Sequence, residues 1–108
     1  MNDKKFCLIW NDALKSADRD AFISEWSLSS MWGDQDDDGI AKTAAEIGNI
    51  WDVAHMSVRD LCSRVGIGQS ELSRRFCIPL RTVQNWSGGQ NPCPPYVVLM
   101  MARLFGMI

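Results

Sequence analysis

The sequence has little of what most metal sites and enzymes require. Its only histidine is His55, and its four cysteines, Cys7, Cys62, Cys77 and Cys93, include no C-x-x-C pair of the kind that binds zinc. No nucleophile motif and no phosphate-binding loop is present. We therefore expect reduced thiols, no metal or other cofactor and no catalytic residues, so that the protein is not an enzyme.

Long apolar runs are also missing. The longest apolar segment lies near the C-terminus and is interrupted by Arg103, so no stretch approaches the length of a membrane span. The apolar run from Phe6 to Trp10 has five residues and is too short for the core of a signal peptide. The 108 residues, 46% of them hydrophobic, are still enough for one compact core. We expect a cytoplasmic protein that does not contact a membrane.

Lysine is absent from the second half of the chain. Residues 1–56 carry five basic against eleven acidic residues, a net charge of −6. Residues 57–108 carry six arginines against Asp60 and Glu71, a net charge of +4. Arginine is the basic side chain best suited to phosphates and to guanine edges. An acidic half followed by a basic half predicts a nucleic-acid surface in the second half only.

The helical pattern of the first half is uneven. The segment from Phe6 to Trp10 is too short for its periodicity to distinguish a strand from a helix. Residues 18–32 are predicted to form a helix that Asp18 or Asp20 caps. An acidic loop from Gly33 to Gly39 follows this helix.

The acidic loop begins like a calcium-binding EF-hand loop. The segment DQDDDG at residues 34–39 has the required start, but the closing glutamate would fall at residue 45, which is alanine. We therefore expect no metal and interpret the loop as an acidic segment in which Asp37 or Asp38 caps the next helix. That helix is predicted from residue 40, and its apolar face comprises Ile40, Ala44, Ile47, Trp51 and Ala54.

The second half shows clearer helix signals. Ser57 and Asp60 have the spacing of a capping box, and Gly66 is a natural end for the helix that they begin. A last helix is predicted to start near Pro95, since proline fits the first turn. Its segment from Tyr96 to Phe105 is apolar almost all round, so we expect burial on two sides, against the core and against either the N-terminal half or a second copy, the N-terminal half being favoured.

Two more short helices are predicted between these elements. They cover residues 69–76 and 80–86, and a tight turn at residues 77–79 joins them. Three short helices with a tight turn between the second and the third form the skeleton of a helix-turn-helix. We therefore predict an all-α fold, in which residues 1–56 form an acidic helical extension that packs on a helix-turn-helix module of residues 57–108.

The segment GQSELSRRFCIPLRTVQNWSGG, residues 68–89, resembles the Cro/C1-type (XRE-like) helix-turn-helix family. This resemblance implies a lambda-repressor-like fold and DNA binding by a small bacterial or mobile-element regulator. Two positions depart from the family pattern: Cys77 stands at a turn position often held by glycine, and Ser87 stands where a glutamate often follows the tryptophan. The matching positions are Gln69, Leu72, Ser73, Ile78, Val83 and Trp86.

The residues of the third short helix divide into two sides. Steps of 100° per residue place Val83 and Trp86 inward and Arg81, Gln84 and Asn85 outward. The outer side chains suit base edges in a major groove, arginine for guanine and the amides for adenine. The first turn of the preceding helix is placed to offer donors to phosphate. The predicted DNA-contacting residues are Gln69, Ser70, Leu80, Arg81, Thr82, Gln84 and Asn85.

Two functions remain open on the sequence. The first is sequence-specific binding to double-stranded DNA by a transcriptional repressor, and because one module has few cations, we expect a homodimer on a two-fold operator. The alternative is a protein-binding module that uses the tryptophan-rich acidic half, with the helix-turn-helix as a scaffold. A basic face that contains Arg81 would favour DNA, and an exposed tryptophan patch in residues 1–56 would favour a protein partner.

Overall fold

The computed structural model describes all 108 residues and is all-helical, which confirms the predicted all-α class. None of its helices combines the length and the apolar character that a membrane span requires. The chain forms two compact units, an N-terminal unit of residues 1–55 with residue 108 and a C-terminal unit of residues 56–107. That the first packs on the second stays a prediction. The helices are α1 (Asp3–Lys15), α2 (Arg19–Ser27), one 3-10 turn (Ser30–Trp32), α3 (Asp37–Ala54), α4 (Val58–Val65), α5 (Gln69–Phe76), α6 (Leu80–Ser87) and α7 (Pro95–Leu104).

The ambiguous segment from Phe6 to Trp10 is helical and lies within α1. The Asn2 side chain caps this helix by accepting the backbone N–H of Lys5 at 2.8 Å. Helical spacing then brings an apolar row to one side, which explains why so short an apolar run is not a strand. The buried residues of α1 are Ile9, Trp10 and Ala13.

Helix α2 is shorter than predicted. Asp18 caps it by accepting the backbone N–H of Ala21, but the helix ends at Ser27 rather than at residue 32. Leu28 follows with 85% of its surface exposed, so no apolar contact extends the helix beyond this point. The remaining residues form the separate 3-10 turn.

Helix α3 begins earlier than predicted, and its cap was assigned wrongly. It starts at Asp37, and the cap is Asp36, whose side chain accepts the backbone N–H of Gly39 at 2.7 Å. The predicted apolar face is also rotated, since Ile40 is 45% exposed. Both α1 and α2 pack against α3, and together they select the buried side. The residues buried on α3 are Thr43, Ile47, Gly48, Ile50 and Val53.

An ion pair joins α2 to α3. Arg19 Nε donates to Asp52 Oδ1 at 2.8 Å, and its Nη2 donates to the second carboxylate oxygen. The hydrogen bond and charge of Asp52 raise the pKa of Arg19 above its ordinary value. Gly48 gives the guanidinium room, because a Cβ there would lie 2.7 Å from Arg19 Nη2. A side chain at this position would therefore require the Arg19 guanidinium to shift.

The C-terminal unit begins with the predicted capping box. Ser57 accepts the backbone N–H of Asp60, and the Asp60 carboxylate accepts the backbone N–H of Ser57. The hydrogen bonds from Ser57 hold the pKa of Asp60 below its ordinary value. Gly66 ends α4 in the left-handed conformation, at φ 83°, as its position after the helix predicts.

One core joins α4, α5, α6 and α7 within this unit. Trp86, which was expected to be buried with Val83, is only half-buried, so Val83 is the inner residue of α6. Helix α7 packs one side into this core, whereas Tyr96, Met100 and Leu104 are exposed. Burial of its second side, against the N-terminal half or a second copy, stays a prediction. The buried residues of the unit are Val58, Leu61, Cys62, Leu72, Val83, Val98, Met101 and Ala102.

Candidate nucleic-acid interface

A three-residue turn holds α6 against α5. Cys77 is the one residue other than glycine with a positive φ, at 54°, where the family pattern often has glycine. Ser73 stabilises the turn twice, because its hydroxyl donates to the Ile78 carbonyl at 2.6 Å and its carbonyl accepts the Ile78 N–H at 3.0 Å. The left-handed residue and these two bonds set the direction in which α6 leaves the turn.

The outer side of α6 forms one open concave surface of about 560 Å³. Four of the predicted contact residues lie on it together, which agrees with the 100° spacing that separates them from Val83. Val83 itself is fully buried, so the two sides of the helix differ in the expected sense. We call this the α6 surface, and it is lined by Leu80, Arg81, Gln84, Asn85, Gly88 and Gln90.

The other three predicted contact residues do not line the α6 surface. Thr82 is half-buried, on the flank of α6 nearer to Trp86. Gln69 and Ser70 occupy the first turn of α5, where Gln69 is half-buried and Ser70 is exposed. The residue before them is Gly68, so no side chain caps α5, and the first backbone N–H groups of the helix have no side-chain acceptor. Groups of this kind suit phosphate oxygens.

The one charged side chain that lines the α6 surface is Arg81. After Glu71 the sequence contains no acidic residue, whereas it contains Arg74, Arg75, Arg81 and Arg103. Arg81 is exposed and has neither an ion pair nor a hydrogen bond within the protein. A guanidinium left in this state retains all its donors for an external acceptor.

The two neighbouring arginines of α5 differ in their contacts. Arg75 lies 3.5 Å from the Glu71 carboxylate and also sits over the Phe105 ring, 5.5 Å from its centroid. Arg74 is exposed and has no such partner. The sequence pattern could not separate these two side chains, because Phe105 is far from them in sequence and contacts Arg75 only in the folded chain. Arg74 is therefore the available cation of the pair.

Sequence reasoning missed two residues of the α6 surface, Gly88 and Gln90. Gly89 has a φ of 76° and turns the chain after α6, and the backbone N–H of Gln90 donates to the Asn85 carbonyl at 3.1 Å. The Gly88-Gly89 pair was the available signal, since consecutive glycines at a helix end permit a tight reversal. That signal indicates a turn but not the side on which the following residue lies.

The tryptophans of residues 1–56 are held within the N-terminal unit, and none of them is exposed. Trp10 is buried, and Trp26 donates its indole N–H to an Asp12 carboxylate oxygen at 2.8 Å. Trp32 donates to the Trp26 carbonyl, and Trp51 stacks on His55 with ring centroids 4.0 Å apart. The exposed tryptophan patch that would favour a protein partner is therefore absent from this structure.

His55 has a structural environment. Its Nε2 lies 2.8 Å from the Ala13 carbonyl at the end of α1, in addition to the stacking of its ring on Trp51. This contact connects the last residue of the N-terminal unit to α1. No group of three or more side chains of the metal-binding types is close enough together to hold a metal ion.

Comparison of the chain with known protein families, curated proteins and solved structures found no match. The resemblance of residues 68–89 to the Cro/C1 type therefore rests on its motif positions alone and stays a prediction.

Proposed function

We propose that this protein binds double-stranded DNA sequence-specifically by placing the α6 surface in a major groove, and that it acts as a transcriptional regulator, a repressor. One observation carries the proposal. Arg81 stands unpaired on an exposed surface together with Leu80, Gln84 and Asn85, in a part of the chain that has no acidic residue. Arginine, amide and apolar side chains together can distinguish all four base pairs from the major groove.

The helix-turn-helix geometry supports this placement. In such motifs the second helix enters the groove and the first crosses the phosphate backbone. Here the uncapped N-terminus of α5 and the exposed Arg74 supply donors on the neighbouring helix. The contacts would thus divide into base-reading groups on α6 and phosphate-binding groups on α5.

The number of cations bears on stoichiometry. A single C-terminal unit carries six arginines, of which Arg75 is engaged with Glu71 and Phe105. With so few phosphate contacts one copy would bind weakly at physiological salt. We therefore include in the proposal that two copies bind a two-fold operator. Sedimentation of the DNA complex measures the number of copies bound per duplex.

The protein-binding alternative stays a prediction with less support. It depends on tryptophans of the N-terminal half being accessible, and none of these side chains is exposed. Apolar residues of this half such as Leu8 and Leu28 are exposed, as apolar side chains commonly are in monomeric proteins. The geometry therefore favours DNA as the partner.

Selection of bound sequences from random duplex DNA tests the proposal, with Arg81→Ala as the variant. The wild type is expected to enrich a defined sequence, and Arg81→Ala is expected to lose about 1–3 kcal/mol of discrimination at one base position. Because Arg81 is exposed and unpaired, the melting temperature of the Arg81→Ala variant should equal that of the wild type. Arg19→Ala, in the N-terminal unit, is the matched control and should select the wild-type sequence. A wild type without sequence preference would overturn the proposal.

A further inference from the structure

We propose that Gln90, which lies beyond the end of α6, reads a base edge and extends the recognition sequence past the position that Gln84 reads. This inference rests on the proposed DNA-binding function. Gln90 is exposed and lines the α6 surface with Leu80, Arg81 and Gln84. It follows the helix in sequence but belongs to its outer side in space.

The C-terminal end of α6 explains why a loop residue matters there. Leu80, Gln84 and Gly88 are four residues apart and form one row along the helix. The first two members present side chains to the α6 surface, but the third is glycine and presents none. Without a residue from another segment, this end of the row would have no side chain that could contact a base.

The Gln90 amide lies beside the position that a side chain of residue 88 would take. A Cβ on Gly88 would lie 3.4 Å from Gln90 Oε1 and 3.7 Å from its amide carbon. The amide therefore lies directly over the glycine, at the end of the row. Gly88 itself presents no side chain here, so the Gln90 amide is the polar group at this end of the row.

The backbone fixes the loop in this place. Gly89 adopts φ 76°, and both Gln90 and Asn91 donate their backbone N–H groups to the Asn85 carbonyl, at 3.1 and 3.4 Å. These bonds hold the position of the loop before any ligand arrives. A side chain on a fixed backbone can discriminate between bases, since the loop itself needs no further ordering on binding.

The chemistry of the side chain indicates the base. A glutamine amide can donate an N–H to N7 of adenine while its carbonyl oxygen accepts from the N6 amino group, so it matches the major-groove edge of adenine. The amide carries no charge, so it adds no counterion release and leaves the salt dependence of binding unchanged. We expect an A·T pair at the end of each recognised half-site.

Selection from random duplex DNA with Gln90→Ala tests the inference, and Asn91→Ala is the matched control. Asn91 is also exposed and also bonds to the Asn85 carbonyl through its backbone, but it does not line the α6 surface. Gln90→Ala should lose preference at one terminal position, by on the order of tenfold, and keep the preference that depends on Arg81. Asn91→Ala should select the full wild-type sequence.

The outcomes separate this inference from the proposed function. If Gln90→Ala keeps every base preference while Arg81→Ala loses one, the inference is wrong and the DNA-binding proposal stands. Equal weakening on all sequences would assign Gln90 to phosphate and would also overturn the inference. If neither the wild type nor any variant shows base preference, both fail together. Melting temperatures of the exposed-site variants confirm that each is folded.

Discussion

The two units of this protein use their polar side chains differently. In the N-terminal unit Arg19 is paired with Asp52, and the Trp26 indole donates to Asp12. On the outer side of α6 in the C-terminal unit, Arg81 has no partner within the protein. Polar groups that bond to each other stabilise a fold, whereas polar groups that remain unpaired on a shared surface are available for a ligand. The contrast indicates where binding is expected more clearly than net charge does.

The largest expected effect concerns two leucines of the C-terminal unit. Leu72 is fully buried in its core, whereas Leu80 is 39% exposed on the α6 surface. Leu72→Ala should lower the free energy of unfolding by about 2–5 kcal/mol, since it leaves a cavity. Leu80→Ala should change it by about 0.5 kcal/mol or less and should alter base preference. Denaturant unfolding measures both, and equal losses would show that Leu80 is part of the core.

The second prediction separates the two arginines of α5. Arg74→Ala should weaken binding about equally on all DNA sequences and reduce the slope of log affinity against log salt by about 1. Arg75→Ala should leave that slope unchanged and lower stability instead, because Arg75 contacts Glu71 and Phe105. Binding titrations at several salt concentrations, with melting curves, distinguish these results. Interchanged behaviour would contradict the assignment of Arg74 to phosphate.

A smaller effect is expected at the capping box of α4. Ser57→Ala should cost about 1 kcal/mol of stability at neutral pH, since Ser57 caps the Asp60 N–H. The pKa of Asp60 is lower in the folded state, so its charge stabilises the fold above its unfolded pKa of about 4. That contribution is lost as the pH falls through the folded pKa.

The variant Asp60→Asn isolates this pH-dependent part. It should be less stable than the wild type at pH 7, and the difference should shrink as the pH falls toward 3. Melting curves of the two proteins across this range measure the difference. A constant gap would assign the loss to packing and not to the carboxylate.

The smallest effect should come from the ion pair of the N-terminal unit. Arg19 and Asp52 are 44% and 28% exposed at their side chains, so a double-mutant cycle with alanine should give a coupling of about 0.2–1 kcal/mol. High salt should reduce this coupling, because it screens exposed charges. Neither substitution should change DNA preference. A change in DNA preference would show that polar groups of the N-terminal unit also take part in binding.

Much of the local structure was predictable from the sequence. The bounds of α5 agree with residues 69–76, the capping box at Ser57 is present, and α7 starts at Pro95. These features depend on bonds within one turn of helix, so the residues concerned are neighbours in sequence. The cap of α3 was assigned wrongly because several aspartates in a row can each cap a helix, and only the folded loop selects Asp36.

The candidate site was predicted only in part, because sequence patterns report contacts between residues that are close along the chain. Helical periodicity was sufficient to bring Arg81, Gln84 and Asn85 to one side of α6. It could not place Gln90, whose position depends on a left-handed glycine and on bonds back to Asn85. It also could not show that Trp86 is only half-buried, since the exposure of a side chain depends on its neighbours.

The sequence by itself therefore determined the helical class, most helix ends of the C-terminal unit and the division of α6 into an inner and an outer side. Those properties follow from caps, glycines and a repeat of 3.6 residues, all of which act over short distances along the chain. Only the tertiary structure decided which side of α3 is buried, which of Arg74 and Arg75 is available, and that Gln90 lies over Gly88. These properties depend on contacts between segments that the chain brings together when it folds, and no local pattern encodes them.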